Sequence, residues 1–403
     1  MAIESKPRCI IHLDLDAFFC AVEEQLDPGL QGKAFAVGGK PDKRGVVASC
    51  SYPARKFGIR SAMPMARAVR LLPTLIILPG HYSEYIKASR SVMGEISDIT
   101  PNVEQISIDE AYLDITDLER PSLVLARQLQ STIRHQIGLP CSLGIATNKL
   151  VAKVATDVGK AAAHSEGPPN AIQLVPPGQE AEFLAPLPVE SLPGVGPKTA
   201  AILENLDIYT INDLANKSES DLVEKFGKLG HYLHRCSHGI DDSPVETRHE
   251  TKSISREVTF SKDLRDFHEL RDTLHELSES VATRLQRKHL GGTTVRIKVR
   301  WADFSTLTRQ ITLDHPCNRA DEIFEAGLQL FRQTWKKGKS VRLLGIGVSG
   351  LETPYQQLRL WVDQQEVQRT EREKQLQAAL ELLHQRFGDQ ILHWGESQME
   401  DHA

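Results

Sequence analysis

The chain has 403 residues, of which 40% are hydrophobic and 25% charged, and a formal net charge of −5. That length exceeds a single hydrophobic core and predicts two to four domains, while the lack of any apolar run of about 18 residues excludes a membrane span. Six cysteines, at 9, 20, 50, 141, 236 and 317, have no C-x-x-C spacing, which argues against a zinc or disulfide framework.

The charge is uneven. Residues 39–70 hold eight Lys or Arg against Asp42 alone, and residues 281–345 hold thirteen against five acids. Two basic surfaces are therefore expected to face a polyanion. The opening residues lead from one short apolar run straight into acids, which fits a sheet strand better than a signal peptide and makes a cytoplasmic protein the expectation.

Alternation predicts a strand over 9–15 and a helix over 18–25. In IIHLDLDAFF, Leu13 and Leu15 share one face, and Asp14 and Asp16 share the other. Two like charges so close require a cation beside them. A small basic insertion, 38–79, follows, with strands predicted at 34–37 and 45–49 and a helix at 65–72. Its segment SCSYPARKFGIRSAMP sets Tyr52 and Arg55 three apart, on one face of a helical turn, with Lys56 and Arg60 beside them. An arginine fork and a tyrosine hydroxyl suit phosphate oxygens, although a generic basic patch would look the same.

Helices at 82–96, 122–137 and 149–158 alternate with strands at 103–108, 112–115, 140–145 and 172–174, which predicts an α+β sheet domain. In EQISIDEAYLDIT, a turn before Tyr112 can bring Asp109 and Glu110 to one point. If this strand neighbours the one ending at Asp14, then Asp14, Asp109 and Glu110 form a three-carboxylate cluster. Such clusters hold one or two Mg²⁺ ions in phosphoryl transfer, the alternative being solvated acids at a strand edge. The helix in GIATNKLVAKVATDVGK gathers Lys149, Lys153 and Lys160 on one stripe. No GxxxxGK[ST] loop is present, so a P-loop mode of polyphosphate binding is excluded.

A helical block spans about 179–239. Within it SLPGVGPKTA offers Gly194, Gly196 and Lys198 as a helix-hairpin-helix turn able to hold a DNA phosphate, or as a plain αα-hairpin. A charged linker, DDSPVETRHETKSISRE, leads into a second α+β block with helices at 267–288 and 321–334 and strands at 253–259, 308–313 and 343–349. There TTVRIKVRW alternates Val295, Ile297, Val299 and Trp301 with Arg296, Lys298 and Arg300, a cationic ridge suited to tracking phosphates. No second acidic cluster suited to an exonuclease is visible, so proofreading is not expected.

The motifs HLDLDAFFCAVE, SYPARKFGIRSAMP, SIDEAYLD, GIATNKLVAKVATD and LPGVGPKTA occur in an order that resembles the Y-family translesion DNA polymerases over about 350 residues. That resemblance implies an α+β multidomain right-hand polymerase. Its parts would be palm (1–37 and 80–175), fingers (38–79), a helical thumb (176–240), a linker (241–251), a little finger (252–352) and a tail (353–403). It further implies that Asp14, Asp109, Glu110 and the Leu15 carbonyl bind two Mg²⁺ ions, for which Mn²⁺ can stand in. Tyr52, Arg55 and Lys160 would touch the dNTP triphosphate, Phe18 would start the helix beside it, and Phe19 would act as a steric gate against ribose. Implied partners are primer-template DNA and a sliding clamp, met by a nucleoid-associated monomer of low fidelity.

Two departures from the family pattern matter. Lys160 is followed by AAAHSEGPPNA where the family has a short Lys-Pro-Asn-Gly turn. The clamp-like QLRLW, Gln357 to Trp361, precedes about 40 more residues, in which Leu376, Leu380, Leu383 and Phe387 mark one face of an amphipathic helix. Two rival readings stay open: a relative without catalysis that serves as a scaffold, and a nucleotidyl cyclase. The retained carboxylates count against the first, and the glycine hairpin and basic ridge have no use in the second.

Overall fold

The computed structural model describes residues 7–163, 167–248 and 250–353. Strand β1 (Ile10–Leu15) is followed after two residues by helix α1 (Phe18–Leu26), with Ala17 in the left-handed region (φ 48°) making the sharp change of direction. Then β2 (Phe35–Gly38), β3 (Val47–Cys50), α2 (Tyr52–Lys56), α3 (Met65–Leu71) and β4 (Ile76–Leu78) build a small unit of three strands in the order β3-β2-β4. It has a core of its own, made by Ala36, Val47, Ala54, Ile59 and Met65. Ser51 starts α2 by accepting the Ala54 N–H, which fixes where Tyr52 and Arg55 stand.

The chain returns through α4 (Tyr82–Ser97), β5 (Val103–Gln105), β6 (Glu110–Asp114), α5 (Ser122–Thr132, wound on as a π-turn at Ile133–Ile137), β7 (Cys141–Ala146), α6 (Lys149–Ala162) and β8 (Ile172–Leu174). The sheet order β5-β6-β1-β7-β8 makes β1 the central strand, antiparallel to both neighbours. Its Leu13 and Leu15 face join Leu113, Leu143, Tyr85, Val92, Ile96 and Leu129 in the main core. The Asp14 face is covered by α6.

Helix α6 lies unusually close to the sheet. A Cβ at Gly144 on β7 would stand 2.0 Å from the Ala152 carbonyl oxygen, so only glycine admits this packing. Two buried polar groups fix the approach: His12 Nδ1 and Thr156 Oγ1 are 2.8 Å apart. Burial, together with Lys153 and Lys160, holds the His12 imidazole well below its ordinary pKa and therefore neutral.

Five short helices follow, α7 (Glu180–Leu184), α8 (Pro197–Glu204), α9 (Ile211–Ala215), α10 (Glu219–Phe226) and α11 (Lys228–Ser237). Their Leu184, Leu203, Leu214 and Leu233 share a core with Leu150, Val151 and Val154 of α6. Gly194 turns with φ 89° just before α8, at the predicted hairpin. The last unit comprises β9 (Ser253–Leu264), α12 (Phe267–Arg287), β10 (Gly291–Trp301), β11 (Thr306–Cys317), α13 (Ala320–Thr334) and β12 (Val341–Glu352), with sheet order β11-β10-β12-β9. Both helices pack on one face, where Val295, Ile297 and Val299 meet Leu274, Val281 and Phe331. The other face carries Arg296, Lys298 and Arg300. Arg44, next to the small three-stranded unit's Pro41–Lys43 turn, reaches this unit through Asp263 (2.7 Å) and the Phe260 carbonyl (3.1 Å).

Some bounds differ from the expected ones. The strand predicted at 103–108 stops at Gln105, and the next begins at Glu110 instead of 112. The Ser107 hydroxyl accepts the Asp109 and Glu110 N–H groups (3.1 and 3.0 Å) and so folds 106–109 into a turn that alternation cannot reveal. Strands β9, β11 and β12 run longer than predicted, because ladder pairing continues past the regularly alternating residues, as between Leu264 and Val341 and between Gly292 and Cys317. Among the described residues, no helix is long and apolar enough to cross a membrane.

Candidate active site

Asp14, near the C-terminal end of β1, pairs in register with Glu110, the first residue of β6. Asp109 precedes it in the Ser107 turn, and its carboxylate accepts the Ser107 hydroxyl (2.5 Å). The Leu15 N–H donates to the Asp109 carbonyl (3.0 Å), which ties the turn to the strand end. The condition set by the sequence is thus met: the two acidic strands are neighbours.

Helix α6 answers these acids with lysines. Lys160 Nζ contacts the Asp14 carboxylate and lies 3.4 Å from Asp16. Lys153 is 3.3 Å from Glu110, and Lys149 is 2.8 Å from Glu104 on β5. The lysine stripe therefore faces the acidic face of the sheet, one pair per strand crossed. Among the described residues, no three His, Cys, Asp or Glu side chains converge closely enough to hold a metal ion; Asp14 and Glu110 are drawn to lysines, and Asp109 to Ser107.

Asp16 is the residue whose role the sequence left open. It is 1% exposed and accepts the Ser142 hydroxyl (3.0 Å) and the Asn170 N–H (3.0 Å). It thereby joins β1 to β7 and to the segment beyond α6, the helix whose last turn carries Lys160. Burial raises the Asp14 and Asp16 carboxyls above the ordinary range, with Lys160 pulling both back. For Lys160 itself burial works downward, but Asp14 and Asp16 outweigh it and raise its pKa, so the ammonium stays charged. Asp157, a turn before Lys160, is also raised by burial.

Above the carboxylates opens a cavity of ≈ 650 Å³. Asp14, Asp109 and Lys160 line one side, Tyr52, Arg55 and Arg60 the other, and Phe19 a third. The Arg55 guanidinium lies 4.7 Å from the centre of the Tyr52 ring and donates through Nε to the Cys50 carbonyl (3.3 Å), so both side chains are pre-positioned. Burial pushes the Tyr52 phenol well above its usual pKa and keeps it a hydrogen-bond donor. Both phenylalanines border the cavity, but Phe18 is 2% exposed and belongs to the core, whereas Phe19 is only partly buried. Phe19 stacks on Tyr85 at 4.4 Å and 15° and has Tyr82 at 6.0 Å. Tyr85 in turn donates to the buried Glu23, which also bonds His81 (2.9 Å). No feature of the sequence announced this support, since α4 lies about sixty residues away.

Comparison with known proteins finds relatives along most of the chain. Residues 13–157 match the impB/mucB/samB family, residues 251–360 its C-terminal domain, and residues 190–241 the thumb domain of DNA polymerase-iota. A DNA polymerase IV of Dehalococcoides mccartyi is 41% identical over 385 residues, covering 94% of this chain and 95% of the relative. The chain belongs to the impB/mucB/samB family of Y-family DNA polymerases. DNA polymerase IV of Halorhodospira halophila is also 41% identical, over 86% of this chain and 96% of its own. Among solved structures, a Y-family DNA polymerase chimera superposes with a TM-score of 0.74 at 26% identity, covering 85% of this chain and 98% of the chimera. DinB from Sulfolobus solfataricus gives 0.57 at 26% identity, with the same coverage. The polymerase fold of the family, with a sheet palm, small fingers, a helical thumb and a little finger, is thus the fold of this chain, and its activity is that of a DNA polymerase.

If Asp16 organises the site through Ser142, Asn170 and Lys160, Asp16→Ala leaves three partners without their acceptor and lowers stability by about 2–3 kcal/mol. Asp16→Asn keeps part of the acceptor capacity and should cost less than half of that. Urea denaturation of both variants checks this; a change under about 0.5 kcal/mol for the alanine variant would remove Asp16 from the site's framework.

Proposed function

We propose that this polymerase adds dNTPs to the 3′ end of a template-paired DNA primer by two-metal nucleotidyl transfer, with low fidelity, across damaged templates and without proofreading. The observation that carries this reading is the single cavity that joins Asp14 and Asp109 to Tyr52, Arg55, Lys160 and Phe19. Carboxylates, phosphate donors and an aromatic wall around one space are what a deoxynucleoside triphosphate requires.

The donor set suits a hard divalent cation. Asp14, Asp109 and Glu110 offer only oxygens and are partly buried, Asp14 and Glu110 on adjacent strands and Asp109 in the turn just before Glu110, and the Leu15 carbonyl belongs to the same strand end as Asp14. These groups would hold Mg²⁺, or Mn²⁺ in its place, and the ions would supply a lowered pKa at the attacking hydroxyl and charge neutralisation at the leaving diphosphate. The chain's own residues do the rest. Arg55 offers a planar fork and Tyr52 a hydroxyl to the phosphates, while Lys160 carries a positive charge from the carboxylates toward them. The first N–H groups of α1, starting at Phe18, add a partial positive charge on the same side.

Phe19 reads the sugar. Its ring is held by Tyr85 and Tyr82, so a ribose 2′-hydroxyl would meet a fixed apolar surface and lose a hydrogen-bond partner. The fingers above the nascent pair present Ala48 and Ser49, small residues that test pair shape weakly and so admit lesions. The outward Arg296, Lys298 and Arg300 of β10 and the turn at Gly194 supply sequence-independent grip on primer-template DNA. The enzyme acts as a monomer in the cytoplasm, at the nucleoid, and meets a sliding clamp through QLRLW, Gln357 to Trp361; that segment and the residues expected to form a helix after it lie outside the described residues.

Asp109→Asn should abolish most nucleotide incorporation while leaving primer-template affinity nearly unchanged, as measured by primer extension and anisotropy; activity within about threefold of the parent would contradict the assignment. Phe19→Ala should lower the deoxy-to-ribo preference by about a hundredfold, from kcat/KM for matched dNTP and rNTP, with deoxynucleotide use falling much less. Relaxation by Phe18→Ala instead would show that the gate has been assigned to the wrong ring.

A further inference from the structure

The outward face of the little-finger sheet contains an acid where a polyanion is to bind. Cross-strand pairing sets Lys298 of β10 beside Gly345 of β12 and Glu257 of β9, and in the next row sets Arg296 beside Gly347 and Ser255. Leu344, Ile346 and Val348 point into the core, so Gly345 and Gly347 are outward positions without side chains. A Cβ at 345 would lie 2.8 Å from Glu257 Cβ, and one at 347 would lie 2.7 Å from Ser255 Cβ. The glycines therefore form the floor of a trough of ≈ 220 Å³, walled by Arg296 and Lys298 on one side and by Ser255 and Glu257 on the other.

The three ridge cations do not have equal partners. Arg296 donates to the neutral amide of Gln310 (2.9 and 3.2 Å), and Arg300 to the Thr306 hydroxyl (2.9 Å). Lys298 alone of the three bonds an acid, reaching across the glycine floor to Glu257 at 2.8 Å. Both members are well exposed, with side-chain accessibilities of 38% and 50%, so the pair is weakly held and exchangeable. A DNA phosphate offers Lys298 a competing anion in the same trough, with the Ser255 hydroxyl as a further donor.

We propose that Glu257 is a resident counter-anion for Lys298, which a backbone phosphate of the bound duplex displaces, so that Glu257 weakens the little finger's grip on DNA. This rests on the reading of the β10 ridge as a DNA contact. Glu257 exacts a toll on every binding event, because Lys298 exchanges one anion for another and one fewer counterion is released. Loose grip of this kind favours short synthesis runs and release of the template once a lesion is passed.

The test is binding of a fluorescent primer-template duplex across a salt series, for the full chain and its variants. Glu257→Gln should tighten binding about threefold at roughly 0.15 M salt and steepen the log affinity against log salt slope by about 0.9. In a Lys298→Ala background the same substitution should leave the slope unchanged, because no lysine is released. An unchanged slope for Glu257→Gln in the parent, or equal steepening in both backgrounds, would overturn the proposal. Replacing Arg296, Lys298 and Arg300 together by Ala separates the two readings. If that variant keeps the parent slope, the ridge does not meet DNA; if it flattens the slope while Glu257→Gln has no effect, only the counter-anion role fails.

Discussion

Placing Asp14 and Asp16 side by side at the end of a buried strand is unfavourable unless a cation stands between them, and much of the palm is arranged to bring Lys160 there. The ammonium can reach them only because α6 lies on the sheet at the distance that Gly144 permits and His12 and Thr156 hold. The same helix delivers Lys153 to Glu110 and Lys149 to Glu104. Its opposite face packs into the thumb core through Leu150, Val151 and Val154. One helix thus balances the charge of the site and couples the sheet to the thumb, so displacement of either is felt at the carboxylates.

The cavity's second wall comes from a unit with its own core. The fingers fold around Ala36, Val47 and Met65 and place Tyr52 and Arg55 by a capped five-residue helix, while Phe35 and Val37 of the same small sheet tie the unit to the palm core. Phe19 stands between the two, mounted on α1 and backed by Tyr85. A site made where two units with cores of their own meet can keep rigid chemistry on one wall while the other stays small. The contact of Arg44 with Asp263 brings the little finger against the same fingers.

What could be read from the sequence was whatever depends on local period. The acidic face of IIHLDLDAFF, the helical pairing of Tyr52 with Arg55, the lysine stripe and the inward Val295, Ile297 and Val299 all follow from spacings of two or of three and four. The family itself was legible from five ordered motifs. Contacts made across the chain were not. Asp16 showed as an acid but not as the acceptor for Ser142 and Asn170, and Glu104 gave no sign that it would meet Lys149. The start of β6 was misplaced by two residues because a serine hydroxyl, which carries no periodicity, folds the turn before it. The pairing of Lys298 with Glu257 needs a glycine strand between them and so depends on sheet order, which alternation does not specify.

All of this describes a site for joining a deoxynucleotide to a paired primer end, and the most direct measurement is the dependence of incorporation on primer and template. Labelled dNTP should be joined only when a 3′ end is base-paired to a template, with each added nucleotide complementary in the majority of events and none added to unpaired DNA. Incorporation that ignores the template, or a low-molecular-weight cyclic product formed from nucleotide alone, would contradict the account.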